Sequence, residues 1–276
     1  MRLPTIAIVL LMMCHSAAAW AESPPPASPL TYADLADLAA DAPVAAHVRI
    51  REAIPLKPDR APDVAPGHSR FYVEADIVSL LRAPQGLPMR IRYLADLPNL
   101  GGKAPRIARK SDYLVFGTPV RGRPDELQLS APDALVRWTP EEEARLRPLL
   151  AEAAAPEAPP RITGVGNAFH VPGTLPGESE TQIFLQAENG RPVSLTILRR
   201  PGQQTRWAVA LGEIVDEAAE PPQPQSLLWY RLACSLPPML PPESLHDSDP
   251  AAAAAVRNDY ALVMGQLGAC VRNRSR

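Results

Sequence analysis

The stretch from Gly164 to Glu180 gathers residue types from which a site can be built: Gly164, Gly166, Gly173 and Gly177 are interleaved with Asn167, His170, Glu178 and Glu180. A histidine near two carboxylates can work as an acid/base pair or hold a cation, and long irregular loops often carry function. A solvated connection between strands is the plainer reading of the same residues. Four arginines make a second group. Arg49, Arg51, Arg90 and Arg92 alternate with apolar residues, which would set them on the outer face of one sheet, where guanidinium groups could grip a carboxylate or phosphate. The alternative is a solvated face on which they pair with Glu74 and Asp76. Trp207, close to Arg199, Arg200 and Arg206, is a third candidate: it either sits on a partner or is buried beside salt-bridged neighbours.

Several chemistries lack their local signature. No G-x-S-x-G pentapeptide exposes a nucleophilic serine. His47, His68, His170 and His246 lie too far apart in sequence for the helical H-E-x-x-H zinc motif. No phosphate-cradling glycine loop, calcium loop or haem-attachment motif occurs either, so neither a metal nor a cofactor is expected. Triads can still assemble from distant positions, so an enzyme stays open. The 28 basic residues are balanced by 30 acidic ones, which does not make the positive field of a nucleic-acid binder, and nucleic acid is not expected as a partner. Aromatic residues are only 5% of the chain, leaving few rings on which sugars or bases could stack.

The first residues read as an export signal. Met1-Arg2 gives a positive start, Leu3 to Cys14 is apolar apart from Pro4 and Thr5, and Ala19-Trp20-Ala21 places small residues for cleavage after Ala21. The apolar run falls short of the roughly 20 residues that span a bilayer, and no later segment approaches that length, so no transmembrane segment is expected in the mature chain. A lipoprotein signal through Cys14 would need a small residue before the cysteine, and Met13 is bulky. The expected location is therefore periplasmic or secreted. In such an oxidising compartment Cys234 and Cys270 are most simply one disulfide, closing a loop of about 36 residues. A metal site is the rival, and two thiols without clustered histidines make a poor one.

These residues must be positioned by a chain in which proline is unusually frequent, 34 of 276 residues. The prolines cluster at 24–26, 156–160, 221–224 and 237–242, and mark seams because the ring excludes helix and sheet interiors. After a leader at 1–21 and a Pro-rich linker at 22–30, a first module is expected over 31–155. It begins with a short helix capped by Thr31 and Asp34 that ends before Pro43. Period-two alternation predicts strands around Ala46–Arg51, Phe71–Ile77 and Met89–Tyr93. The apolar run Tyr113–Phe116 suits a strand covered on both faces, and 126–129 with 134–138 supply one or two more. Thr139-Pro140-Glu141-Glu142-Glu143 is a strong helix start, with Leu146, Leu149 and Leu150 as the buried face and Pro156 as the stop.

The second module is expected over 161–276. Asn189-Gly190 predicts a tight two-residue hairpin between 181–188 and 191–199, and Pro201-Gly202 turns the chain into a third strand around 206–211. Helices follow at 226–236 and from Asp249-Pro250 to Gly268, clipped together by the two cysteines. The basic residues Arg272, Arg274 and Arg276 read as a solvated end.

The pattern of the first module has a likeness. Val48-Arg49-Ile50 as a leading strand, Phe71-Tyr72-Val73-Glu74-Ala75 as the second and Tyr113-Leu114-Val115-Phe116-Gly117 later make residues 45–122 resemble the netrin-like and tissue-inhibitor-like OB barrels of secreted proteins. The chain as a whole resembles secreted proteins of alphaproteobacteria, a likeness that implies export and no activity. The resemblance implies a small barrel but not inhibition, because those families are stapled by cysteines near the barrel's start and this segment has none. The expected fold is thus mainly β with helices (α+β): an OB-like small barrel followed by a β-meander with two disulfide-linked helices. The expected function is a non-catalytic binding or assembly module with a protein partner in the cell envelope. The alternatives are a periplasmic enzyme with a site between the modules, using His170 and Glu178 or Glu180, and an envelope structural protein.

Overall fold

The computed structural model describes residues 29–40, 42–212, 220–246 and 248–274. The leader at 1–21, most of the linker at 22–30 and Arg276 lie outside the described residues. Among the described residues, ten strands make a closed five-strand barrel, one short strand that extends it and a separate four-strand sheet, and four α-helices accompany them.

The barrel is built as the alternation predicts. Its strands are β1 (Val44–Pro55), β2 (His68–Arg82), β3 (Arg90–Pro98), β4 (Asp112–Val120) and β5 (Arg123–Leu129). They follow the order β1-β2-β3-β5-β4, and β1 pairs β4 to close the ring. The only parallel contact in that ring is β3 with β5. Closure is possible because β1 is long and irregular: residues 44–49 face β4 while 45–55 face β2, with register shifts along the second pairing. Alternate residues such as Val48, Ile50, Phe71, Val73, Ile91 and Phe116 point inward and are fully or nearly fully buried. Gly117 is required where β4 meets β5, since a Cβ there would lie 2.4 Å from the Gln128 carbonyl oxygen. Leu114, Val115 and Phe116 are all buried, one face by the barrel and the other by surrounding elements, which explains their unbroken apolar run. The short β6 (Leu135–Arg137) extends the sheet beyond β4.

Helix α1 (Tyr32–Ala40) begins at the expected cap: the Asp34 carboxylate accepts from the Thr31 amide and the Thr31 hydroxyl accepts from the Asp34 amide. Helix α2 (Pro140–Ala154) starts at Thr139, whose hydroxyl accepts from the Glu142 amide, and buries Leu146, Leu149 and Leu150.

The second sheet is an antiparallel meander of four strands, one more than the pattern predicts. Its strands are β7 (Ile162–Pro172), β8 (Ser179–Ala187), β9 (Val193–Arg199) and β10 (Arg206–Ala210). The extra strand, β7, occupies most of the glycine-rich stretch expected to be an irregular loop. Register shifts after Ile162 and after Val165 space its buried residues as Ile162, Val165 and Ala168, so period two is lost from the sequence while pairing survives. The β8–β9 hairpin falls at Asn189-Gly190, but its loop spans 188–192 and is longer than two residues. Pro192 has no amide hydrogen for the ladder, and Gly190, at φ +70°, bonds back to the Ala187 carbonyl instead.

Helices α3 (Leu227–Ala233) and α4 (Pro250–Leu267) follow, and Cys234, capping α3, is bonded to Cys270, just past α4. The buried apolar residues form two clusters. Leu227 and Tyr230 of α3 join the barrel's cluster, whereas Leu232 and Ala233 of the same helix join the meander's. Among the described residues no helix is long and apolar enough to cross a membrane.

Arg272 and Arg274 do not form a solvated end. Arg272 pairs with Asp37 at 2.6 Å and Arg274 with Asp133 at 2.6 Å, and both guanidinium side chains are largely buried. The buried Asp34 carboxylate also accepts from the backbone amides of Asn273 and Arg274. Burial works against ionising Asp34, but the Thr31, Asn273 and Arg274 amides outweigh it and hold its carboxyl below the usual range. One aspartate therefore caps α1 and anchors a segment about 240 residues away.

Candidate functional site

The four candidate arginines share the outer face of β1, β2 and β3 as expected, and every one is paired. Arg49 makes a two-pronged contact to Asp112 at 2.8 and 3.0 Å. Arg51 reaches Asp76 at 3.0 Å, Arg90 bridges Asp76 and Glu74 at 3.1 and 3.2 Å, and Arg92 pairs with Asp125. The cross-strand register accounts for two of these contacts directly, since Arg49 lies opposite Asp112 on β4 and Arg90 opposite Asp76 on β2. Asp112 and Asp76 are held below the usual carboxylate range by the hydrogen bonds from Arg49 and Arg51 respectively. An incoming anion would have to displace a neighbouring carboxylate, so the face is a charge lattice and not a ready anion clamp.

His170 and the two glutamates are not brought together. His170 pairs across the ladder with Thr181, whereas Glu180 is opposite Val171, so the pleat sends His170 and Glu180 to opposite faces. Glu178 ends the turn from β7 to β8, where its carboxylate faces the Leu175 amide. The acid/base pair expected from the sequence is therefore replaced by a different arrangement. His170 Nδ1 is 2.8 Å from the Thr181 hydroxyl, which donates to Asp259 at 2.5 Å. Thr181 and Asp259 are buried, and Asp259 also accepts from Arg199 Nε at 3.0 Å. Since the Thr181 proton is committed to the carboxylate, it is His170 Nδ1 that donates to the Thr181 oxygen. Asp259 belongs to α4, so this chain also ties the helix to the inner face of the meander.

The outer face of the meander is different in kind. Phe169, Val171 and Phe184 project from β7 and β8, are each 40% exposed or more, and the two phenyl rings lie 5.7 Å apart. A groove of about 490 Å³ runs beside them, rimmed by Glu178, Glu180, Gln182 and Arg200. The glutamates singled out in the sequence thus border an apolar surface. Phe169 escapes a sequence reading because the shifts in β7 hide which of its residues face outward, whereas Phe184 follows the regular alternation of β8 with Thr181, Ile183 and Leu185.

Trp207 takes the buried option. Its indole N–H donates to Gln266 at 2.6 Å, and Arg199 nearby is held by Asp259. A second buried cluster had no sequence signal: His47 stacks on Trp138 at 4.4 Å, with Asp112 and Glu143 each 3.7 Å from a ring nitrogen. Among the described residues, no group of three or more His, Cys, Asp or Glu side chains is placed to hold a metal ion. No protein-family model matches this chain, and no curated protein is recognisably similar to it.

Proposed function

We propose that this protein is an exported binding or assembly module that meets a protein partner with the outer face of its second sheet. The observation that carries the reading is the Phe169–Val171–Phe184 surface. One face of the meander is covered by helices and sealed by a buried polar chain, while the other presents neighbouring aromatic rings to solvent beside a polar-rimmed groove. Aromatic residues within a polar rim are the usual anchors of protein–protein contacts. Export is supported by the leader-like residues 1–21 and by the Cys234–Cys270 bond, which suits an oxidising compartment.

The test is affinity purification of the tagged mature chain from its native envelope fraction, alongside the double variant Phe169→Asp, Phe184→Asp. The expected result is one protein recovered in stoichiometric amount with the wild type and lost with the variant. Recovery of the chain alone, or equal recovery by both, overturns the proposal.

A second reading rests on the Asp259–Thr181–His170 chain, which orients the His170 ring through Nδ1 and makes Nε2 the candidate acid/base atom. It keeps His170 as the acid/base residue of an enzyme but replaces Glu178 and Glu180 with Asp259 acting through Thr181. A substrate screen in which turnover is lost in His170→Ala supports it, and turnover unchanged in that variant removes it.

A further inference from the structure

A second concavity lies apart from the Phe169 surface. Where barrel, meander and the last described segment meet, five separate pieces of chain enclose a cleft of about 390 Å³. Asp37 and Leu38 come from α1, Ser130 to Asp133 from the connection between β5 and β6, Arg161 from the entry to β7, Tyr230 from α3, and Arg274 from the segment after the disulfide. Clefts of this size at the meeting of structural units are preferred places for small ligands.

The walls carry both signs of charge in equal number: Asp37 and Asp133 against Arg161 and Arg274. Arg274 is tied to Asp133 at 2.6 Å, Arg161 donates to the Ala40 carbonyl at 2.8 Å, and the Tyr230 hydroxyl donates to Asp37 at 2.6 Å. The Ser130 hydroxyl oxygen, buried at the wall, has no hydrogen-bond partner within the protein. Leu38, Ala131 and Pro132 supply an apolar floor.

That composition discriminates between ligands. An anion alone would gain Arg274 only by stranding Asp133, and a cation alone would do the reverse. A molecule with both charges can insert between them, giving its carboxylate to Arg274 and its ammonium to Asp133, so that no charged group is left without a partner. The Ser130 hydroxyl can then meet either end, as donor or acceptor. We infer that the cleft between barrel and meander binds a small zwitterion of amino-acid or dipeptide size.

The test is isothermal titration calorimetry on the full mature chain, with L-alanine and L-alanyl-L-alanine as probes and acetate and methylammonium as single-charge controls. Binding of at least one zwitterion is expected, with both controls at least ~10-fold weaker. The variant Asp133→Asn should weaken the zwitterion by roughly 10-fold through the lost ammonium contact, and Ser130→Ala by a few-fold. Thermal unfolding of both variants is measured alongside, and Ser130→Ala, which removes no ion pair, keeps the test meaningful if Asp133→Asn unfolds. Absence of binding by both zwitterions, controls that bind equally well, or affinity unchanged in both variants overturns the inference.

Discussion

The outer faces of the two sheets are solvated in the same molecule and solve the problem in opposite ways. On the barrel, Arg49, Arg51, Arg90 and Arg92 meet Asp112, Asp76, Glu74 and Asp125 across neighbouring strands, so polar groups satisfy one another within the surface. On the meander, Phe169, Val171 and Phe184 lie opposite Gln182, Glu180 and Ser194 and stay at least 40% exposed, and apolar area left in water is relieved by something that covers it. The charged part of the barrel face is therefore satisfied within itself, although Ile54 and Leu94 beside it are as exposed as Phe169, and what sets the meander apart is a pair of neighbouring exposed aromatic rings.

The contrast is sharpest in binding. The Phe169→Asp, Phe184→Asp variant should weaken partner binding by at least ~100-fold, if each ring behaves as an interface anchor, while leaving thermal stability nearly unchanged. A loss of binding on replacing Arg51 and Arg90 instead would reverse the roles of the faces. Beneath the meander, Thr181→Val removes the hydroxyl between His170 and Asp259 and leaves a buried carboxylate short of a donor. Urea unfolding should show a loss of about 2 kcal/mol, and a neutral result would mean that Arg199 alone satisfies Asp259. On the barrel, Arg51→Ala should cost under ~1 kcal/mol, because its ion pairs to Glu74 and Asp76 are exposed and screened by salt. A cost comparable to that of Thr181→Val would show the lattice to be cooperative.

Acid separates the surface charges from Asp34, the buried carboxylate that ties residues 273–274 to α1. Asp34 has its carboxyl lowered by folding, so its contribution is present above the unfolded value and is lost as pH falls through the folded one. Amide hydrogen exchange at Asn273 and Arg274 should therefore accelerate at the acid end of the carboxylate range, ahead of the barrel core. Protection that persists until global unfolding would show that the Arg272–Asp37 and Arg274–Asp133 pairs hold the segment without Asp34.

Local physics accounts for what could be read early. The strands around Val48, Phe71 and Ile91 alternate because one face fills the barrel, and the Thr31 and Thr139 caps mark helix starts because orphan amides need an acceptor. The pairing of Cys234 with Cys270 followed from assigning Cys14, the third cysteine, to the expected leader, which leaves two. The arginine face was legible as a face, since alternation fixes which side a residue takes.

What the sequence could not determine is who stands opposite whom. Strand β7 was hidden because two register shifts erase its alternation, and with it went the outward placement of Phe169 and Val171. His170 and Glu180 looked like a pair from their spacing, yet an odd offset across the ladder sends them to opposite faces, and the partner that reaches His170 comes through Thr181 from a helix 78 residues beyond it. Asp34, Asp37 and Asp133 receive the last described residues only because the fold returns that segment to α1. Periodicity and capping are properties of neighbours along the chain, so the sequence alone determined the barrel strands, the caps and the disulfide. Contacts between residues far apart depend on register and closure, and those were decided only when the whole chain packed.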